Sequence, residues 1–142
     1  MINLRAIDHV VFRAKNVEAM VAFYENVLDA QVEKRQPEIG LIQLRAGQSL
    51  IDFVDVNSDI GRMGGAPAGP EGHNVDHVCF RVLPWDGEAI LAHLAAHGIA
   101  DAEITSRYGA EGDGPSIYLT DPEGNGIELK GPPWPPNRAK TG

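Results

Sequence analysis

The sequence predicts an α+β protein built from two copies of a β-α-β-β-β module. The first observation is an internal repeat, because Asp8-His9-Val10-Val11-Phe12-Arg13 returns as Asp76-His77-Val78-Cys79-Phe80-Arg81 with five of six letters kept. The second is the order of apolar periodicities, since helical spacing follows each copy and strand-like alternation follows the helix. The predicted organisation is a single domain over 1–142, with modules at 4–56 and 75–130 joined by a glycine- and proline-rich linker at 57–74.

The composition excludes several classes of function. The 142 residues are 43% hydrophobic and 23% charged, as in an ordinary soluble globular protein. A formal net charge of −8 disfavours nucleic acids and anionic membranes as partners. Cys79 is the single cysteine, so no intrachain disulfide forms. Without an apolar run near the ~20 residues of a membrane span, or a signal-peptide pattern, we expect a cytoplasmic protein that acts on a small molecule.

The first module is predicted to run as a strand, a helix and three further strands. Strand-like alternation covers 5–13, and Asn16 is the expected N-cap of an amphipathic helix. Three more strands are predicted over 30–36, 41–45 and 50–56, with a turn at 37–40.

The second module repeats this order. A strand over 75–82 precedes a helix that Asp86 caps and Gly98 ends, and strands follow at 103–108, 116–120 and 126–130, with a tight turn at 121–125. The glycine-rich stretch 109–114 is expected to be a loop, either one that closes over a substrate or a mobile surface turn. The proline-rich tail 131–142 cannot continue a sheet, so it either packs across a neighbour or is disordered.

Two histidines and two carboxylates occupy matching places in the repeat. Alternation along a strand directs His9 and His77 away from the apolar face. Asp52 and Glu128 match in the last strand of each module, and a buried carboxylate is costly unless something compensates it. A divalent cation would do so, and mixed imidazole and carboxylate ligation suits Zn, Ni, Mn or Fe(II). The alternative is that these are hydrogen-bonded structural residues.

Three stretches carry a resemblance to a known family: residues 7–10 (Ile-Asp-His-Val), 23–28 (Phe-Tyr-Glu-Asn-Val-Leu) and 118–129 (Tyr-Leu-Thr-Asp-Pro-Glu-Gly-Asn-Gly-Ile-Glu-Leu). The chain resembles, over about residues 5 to 130, the vicinal oxygen chelate superfamily, which includes glyoxalase I, fosfomycin-resistance thiol transferases, bleomycin-resistance proteins and extradiol dioxygenases. The resemblance implies that each module forms half of an open barrel. It places metal ligands at His9, His77 and Glu128. Asp52 matches a glutamate of glyoxalase I, and it either ligates the metal, holds a metal-bound water or acts as the base.

The resemblance also implies residues that bind the substrate. Arg13 matches an arginine that holds a carboxylate of glutathione in glyoxalase I, and Arg81 is its counterpart in the second module. Two guanidinium groups beside a metal indicate an anionic substrate, although each could instead pair with a neighbouring Asp or Glu. Ser116 and Tyr118 match positions that hold the phosphonate in fosfomycin-resistance enzymes.

The leading functional hypothesis is a metal-dependent lyase or isomerase of the glyoxalase I type. In that reaction the metal chelates two vicinal oxygens of the substrate and stabilises an enediolate, while Glu128 or Asp52 shuttles the proton. Glutathione or another thiol is a candidate co-substrate. The alternatives are an extradiol-type dioxygenase, a fosfomycin-type thiol transferase and a non-catalytic drug-binding resistance protein. Family resemblance further predicts a homodimer whose two sites draw ligands from modules of both subunits.

Overall fold

Each copy of the repeat folds into its own open four-stranded sheet. The computed structural model describes residues 1–136. The first sheet has the order β1-β4-β3-β2, in which β1 (His9–Ala14) runs parallel to β4 (Ser49–Asp55), and β3 (Leu41–Ala46) and β2 (Gln31–Gln36) are antiparallel to their neighbours. Helix α1 (Val17–Leu28) connects β1 to β2, and a one-turn helix, α2 (Asp59–Arg62), follows β4.

The second sheet repeats this topology with the order β5-β8-β7-β6. Strand β5 (His77–Arg81) runs parallel to β8 (Gly126–Lys130), and helix α3 (Gly87–Ala96) connects β5 to β6 (Ile104–Gly109). Strand β7 (Gly112–Thr120) pairs antiparallel with both β6 and β8. The predicted α+β class with two β-α-β-β-β sets is confirmed.

The described chain forms two compact units. The first contains residues 1–74 and 121–125, and the second contains residues 75–120 and 126–136. The turn at 121–125 therefore packs with the first unit, although the sequence places it in the second module. Its Glu123 carboxylate accepts hydrogen bonds from the backbone N–H groups of Lys15 and Asn16, each at 2.8 Å, and the Asp121 carboxylate accepts one at 3.0 Å from the hydroxyl of buried Tyr24. No helix within residues 1–136 has the length and apolar character to cross a bilayer.

The core of the first unit lies on the α1 side of its sheet. Phe12 of β1 and Phe53 of β4 are buried there, and Tyr24 of α1 meets Phe53 edge-on with ring centroids 5.0 Å apart. Asn16 caps α1 as predicted, because its side-chain oxygen accepts a hydrogen bond from the Ala19 N–H. Side chains of the opposite parity on β1, among them His9, point to the other face.

Several predicted boundaries are wrong for one physical reason, which is that a strand extends only as far as its partner. β1 begins at His9 because its partner residue is Leu50, near the start of β4, and β5 begins at His77 opposite Gly126, where β8 begins. The short helix α2 was also absent from the prediction. Ser58 supports it by accepting a hydrogen bond from the Gly61 N–H.

The expected loop at 109–114 is wrong in most of its length, because β6 ends at Gly109 and β7 begins at Gly112. Two of its glycines leave room for neighbours. A Cβ on Gly109 would lie 2.6 Å from Lys130 Cε, and one on Gly114 would lie 2.6 Å from the Pro132 carbonyl oxygen. The glycines therefore serve close packing of a hairpin.

The tail packs along this hairpin as far as it is described. The Gly131 N–H donates to the Pro115 carbonyl at 2.9 Å, and the Trp134 indole N–H donates to Ser106 Oγ at 2.8 Å. The remainder of the predicted tail, 137–142, lies outside the described residues.

We expect Gly61→Ala to destabilise the protein by about 1–3 kcal/mol, because this is the usual cost of overpacking. A Cβ at Gly61 would lie 1.9 Å from the Asp55 carbonyl oxygen, which the backbone holds in place. Gly69→Ala is the matched control, since a Cβ there meets nothing within 4 Å. Urea denaturation of both variants measures the difference, and equal stabilities would contradict the packing account.

Candidate metal centre

His9 and Asp52 lie together on one face of the first sheet, which we call the His9 face and define by His9, Arg13, Gln43 and Asp52. Asp52 of β4 is the register partner of Val11, two residues along β1 from His9. The pKa of His9 is raised, chiefly by the hydrogen bond that its Nδ1–H donates to Asp8, and the Asp52 charge contributes to the same shift. The structure therefore brings together the two predicted ligands of the first module.

The neighbouring Asp8 fixes the orientation of the His9 imidazole. Its Oδ1 lies 2.7 Å from His9 Nδ1. A carboxylate at Nδ1 selects the tautomer that keeps the proton there, and this leaves Nε2 as the free donor atom. Carboxylate–histidine pairs of this kind are the usual support for a metal-binding imidazole.

Asp52 is a buried carboxylate with only one of its oxygens engaged. The residue is 3% exposed, and its Oδ2 accepts a hydrogen bond from Gln43 Nε2 at 3.1 Å. Oδ1 is buried and has no hydrogen-bond partner among residues 1–136. Burial raises the pKa of Asp52, while the Gln43 hydrogen bond and the His9 charge oppose that shift.

The second unit repeats the arrangement on the face of its sheet that we call the His77 face, defined by His77, Cys79, Arg81, Arg107, Ser116, Tyr118, Glu128 and Lys130. His77 Nδ1 lies 2.6 Å from Asp76 Oδ2, as His9 does from Asp8. His77 Nε2 lies 3.2 Å from Glu128 Oε2. The two predicted ligands of the second module, His77 and Glu128, are therefore in contact.

Glu128 differs from Asp52 in having several hydrogen-bond donors around its carboxylate. The residue is 5% exposed, and its Oε1 accepts a hydrogen bond from the buried Ser116 hydroxyl at 2.6 Å. Its register partners Cys79 and Tyr118 also hydrogen-bond to it. Burial favours the neutral form, but these hydrogen bonds and the His77 charge outweigh it and hold the pKa of Glu128 below its ordinary value.

These residues have the chemistry of a divalent metal centre. Each unit has its own pair of one imidazole and one carboxylate, and Oδ1 of Asp52, which has no hydrogen-bond partner among residues 1–136, is the kind of buried atom that a cation would satisfy. The preceding aspartates hold Nδ1 of each imidazole, which leaves Nε2 as the atom that would bind an ion, and His77 Nε2 lies beside the Glu128 carboxylate. Within residues 1–136, no three His, Cys, Asp or Glu side chains are grouped closely enough to hold an ion.

Arg13 and Arg81 are engaged with the protein itself. The Arg13 guanidinium donates to the carbonyl oxygens of Gly61, Gly64, Gly65 and Ala66 at 2.5 to 3.3 Å. Arg81 forms an ion pair with Glu111 and donates to the Val82 carbonyl at 3.0 Å.

Sequence reasoning missed Arg107, which extends from β6 on the His77 face. Its guanidinium carbon lies 5.7 Å from the centroid of the Tyr118 ring, and it hydrogen-bonds to the Tyr118 side chain. Tyr118 is 39% exposed, and its ring meets His77 edge-on at a centroid distance of 5.7 Å. Arg107 Nη1 also donates to the Ser106 carbonyl at 2.9 Å, and no carboxylate pairs with this guanidinium in the described part of the chain. The register of β6 on β7 is the only signal that would have identified it.

Comparison with known proteins decides the family. The family model described as the Glyoxalase/Bleomycin resistance protein/Dioxygenase superfamily matches residues 6–129. The chain belongs to this superfamily. The predicted resemblance is thereby confirmed, and the superfamily's range of chemistries leaves the reaction to be argued from the site.

Solved structures share the fold of this superfamily member at low sequence identity. A virulence protein from Salmonella typhimurium is 22% identical, with 92% of this chain and 99% of that chain covered and a TM-score of 0.75. A lactoylglutathione lyase from Agrobacterium tumefaciens is 20% identical, with 89% and 92% covered and a TM-score of 0.59. The fosfomycin resistance protein FosX from Listeria monocytogenes, complexed with Mn(II) and sulfate, is 16% identical, with 92% of each chain covered and a TM-score of 0.64.

Proposed function

We propose that this protein is a divalent-metal-dependent enzyme of the glyoxalase I type, acting on a small anionic substrate. The observation that carries the proposal is the matched pair of imidazole and buried carboxylate in each unit, His9 with Asp52 and His77 with Glu128. A non-catalytic binder has no evident need for two buried carboxylates supported in this way. The lyase from A. tumefaciens is a precedent for lyase chemistry on this fold.

His9, His77 and Glu128 would hold the ion, which supplies Lewis-acid polarisation of neighbouring substrate oxygens when bound. Glu128 suits a permanent ligand because its donors keep it ionised. Asp52 suits the proton-transferring carboxylate, or a further ligand, because Oδ1 is not committed to any donor in the described chain. Zn, Ni, Mn and Fe(II) all accept this set of donors.

Arg107 and Tyr118 are the groups on the His77 face best placed to receive an anionic substrate. The Tyr118 hydroxyl links Arg107 to Glu128, so a carboxylate, sulfate or phosphonate bound by this guanidinium would lie one aromatic ring away from the ligands. Ser116 acts through Glu128 in this proposal, whereas Arg13 and Arg81 would have to leave their present partners to bind substrate. The FosX complex contains both Mn(II) and sulfate, which is a precedent for a protein of this fold that binds a divalent metal and an anion. Glutathione or another thiol remains the proposed co-substrate.

We further propose a homodimer, in which one metal takes His9 and Asp52 from one subunit and His77 and Glu128 from its partner. Two-fold symmetry would then create two equal sites. A monomer mass by light scattering would contradict this part.

Elemental analysis of protein purified without added metal tests the central proposal. We expect about one equivalent of a divalent metal per chain, and loss of at least ten-fold in metal affinity in both His77→Ala and Glu128→Ala, because each removes a donor atom. His93→Ala is the matched control and should retain full metal content, since His93 lies on α3. Absence of stoichiometric metal in the parent, together with no binding of added Zn, Ni, Mn or Fe(II), would contradict the proposal.

A second candidate is Fe(II)-dependent extradiol cleavage of catechols. The observation that favours it is Tyr118, which contacts both His77 and Glu128 and so supplies the additional tyrosine that such a site needs. Iron content with oxygen consumption on catechol would select this reaction over the lyase.

The substrate class has its own test. In Mn(II)-loaded protein we expect Arg107→Gln to weaken sulfate binding at least ten-fold, as calorimetry measures it, because this guanidinium, which has no carboxylate partner among residues 1–136, is the proposed anion receptor. Arg35→Gln is the control, since Arg35 pairs with Glu18 on the first unit. Equal sulfate affinity in the parent and Arg107→Gln would remove Arg107 from the substrate site.

A further inference from the structure

Two glutamines form a directed hydrogen-bond chain that ends on Asp52. Gln36 Nε2, at the end of β2, donates to Gln43 Oε1 on β3 at 3.0 Å. Gln43 Nε2 then donates to Asp52 Oδ2 at 3.1 Å. Gln43 and Asp52 are register partners, so the contact runs straight across the sheet.

The chain has only one workable direction. An amide donates through nitrogen and accepts through oxygen, and an ionised carboxylate accepts only. If the Gln43 amide flipped, its oxygen would face Asp52 Oδ2 and its NH₂ would face the Gln36 NH₂, which loses both hydrogen bonds. The carboxylate therefore sets the direction of the chain, and Gln36 restrains the Gln43 amide in that orientation by donating to its oxygen.

The second unit has no such amide pair at the equivalent place. The register partner of Glu128 is Tyr118, where Asp52 has Gln43. Glu128 accepts from the Ser116 hydroxyl and lies against His77 Nε2, so both of its oxygens are engaged. Asp52 is equally buried, yet one oxygen has a donor and the other has none within the described chain.

We infer that Gln43, fixed by Gln36, is a positioning residue that turns Asp52 so that Oδ1 alone is available to a metal ion or its bound water. A buried carboxylate oxygen without a donor is costly, so this orientation needs a partner that holds it. The inference rests on the proposed metal function and deepens it, because it states which oxygen of Asp52 serves the site and what selects it.

Substitution of the amide by an isosteric apolar side chain tests the inference. In Gln43→Met the carboxylate can rotate freely, so we expect Zn²⁺ affinity, measured by competition with a chromophoric chelator, to fall about 10–100-fold. The visible absorption spectrum of the Co²⁺-loaded variant should also change, which a general loss of stability would not produce. Gln36→Met should give a smaller loss in the same direction, since Gln43 keeps its contact with Asp52 but loses the partner that orients it.

Gln48→Met is the matched control, because Gln48 is exposed in the β3–β4 turn, and it should bind metal as the parent does. Melting of the metal-free proteins shows that each variant folds, and if Gln43→Met does not, Gln36→Met decides the question. A parent that binds no metal would overturn the proposed function. A metal-binding parent with unchanged affinity and Co²⁺ spectrum in a folded glutamine variant would overturn the positioning role alone.

Discussion

The burial of one carboxylate in each sheet is the constraint on which the site depends. A charged oxygen inside a protein is costly unless hydrogen bonds or an opposite charge compensate it. Glu128 receives that compensation from several donors on its own sheet, while Asp52 receives one hydrogen bond and retains a buried oxygen without a partner in the described chain. Asp52 and Glu128 occupy equivalent positions in the repeat, but because of this difference only Asp52 has an oxygen without a hydrogen-bond partner in the described chain.

The repeated strand explains why a histidine lies on the same face of the sheet as each carboxylate. In each copy an aspartate precedes the histidine and holds its Nδ1, at 2.7 Å in the first unit and 2.6 Å in the second. The same strand is parallel to the one that carries the carboxylate, so imidazole and carboxylate reach one face by register alone. The short motif Asp-His-Val therefore encodes both the proposed metal ligand and the carboxylate that orients it.

Sequence reasoning reached the α+β class and the pairing of His9 with Asp52 and of His77 with Glu128, because strand alternation and a constant repeat offset determine faces. It could not find the partners of Arg13, which are backbone carbonyls and leave no mark on residue type. The glycines at 109 and 114 looked like a mobile loop because composition does not reveal a neighbour such as Lys130. Gln43 could not be distinguished from an ordinary polar strand residue, because only the register of β3 on β4 shows that it lies beside Asp52.

The claim that the two imidazole–carboxylate pairs act together across a dimer is tested most directly by combining two defective chains. His9→Ala disables only the first pair, and His77→Ala disables only the second. When the two variants are co-expressed and dimerise at random, about half of the dimers are mixed, and each mixed dimer contains one intact site out of two. The mixture should therefore regain about a quarter of the parent's metal content and activity. Either variant alone should have almost none. Metal content in the mixture no higher than in the separate variants would contradict the account.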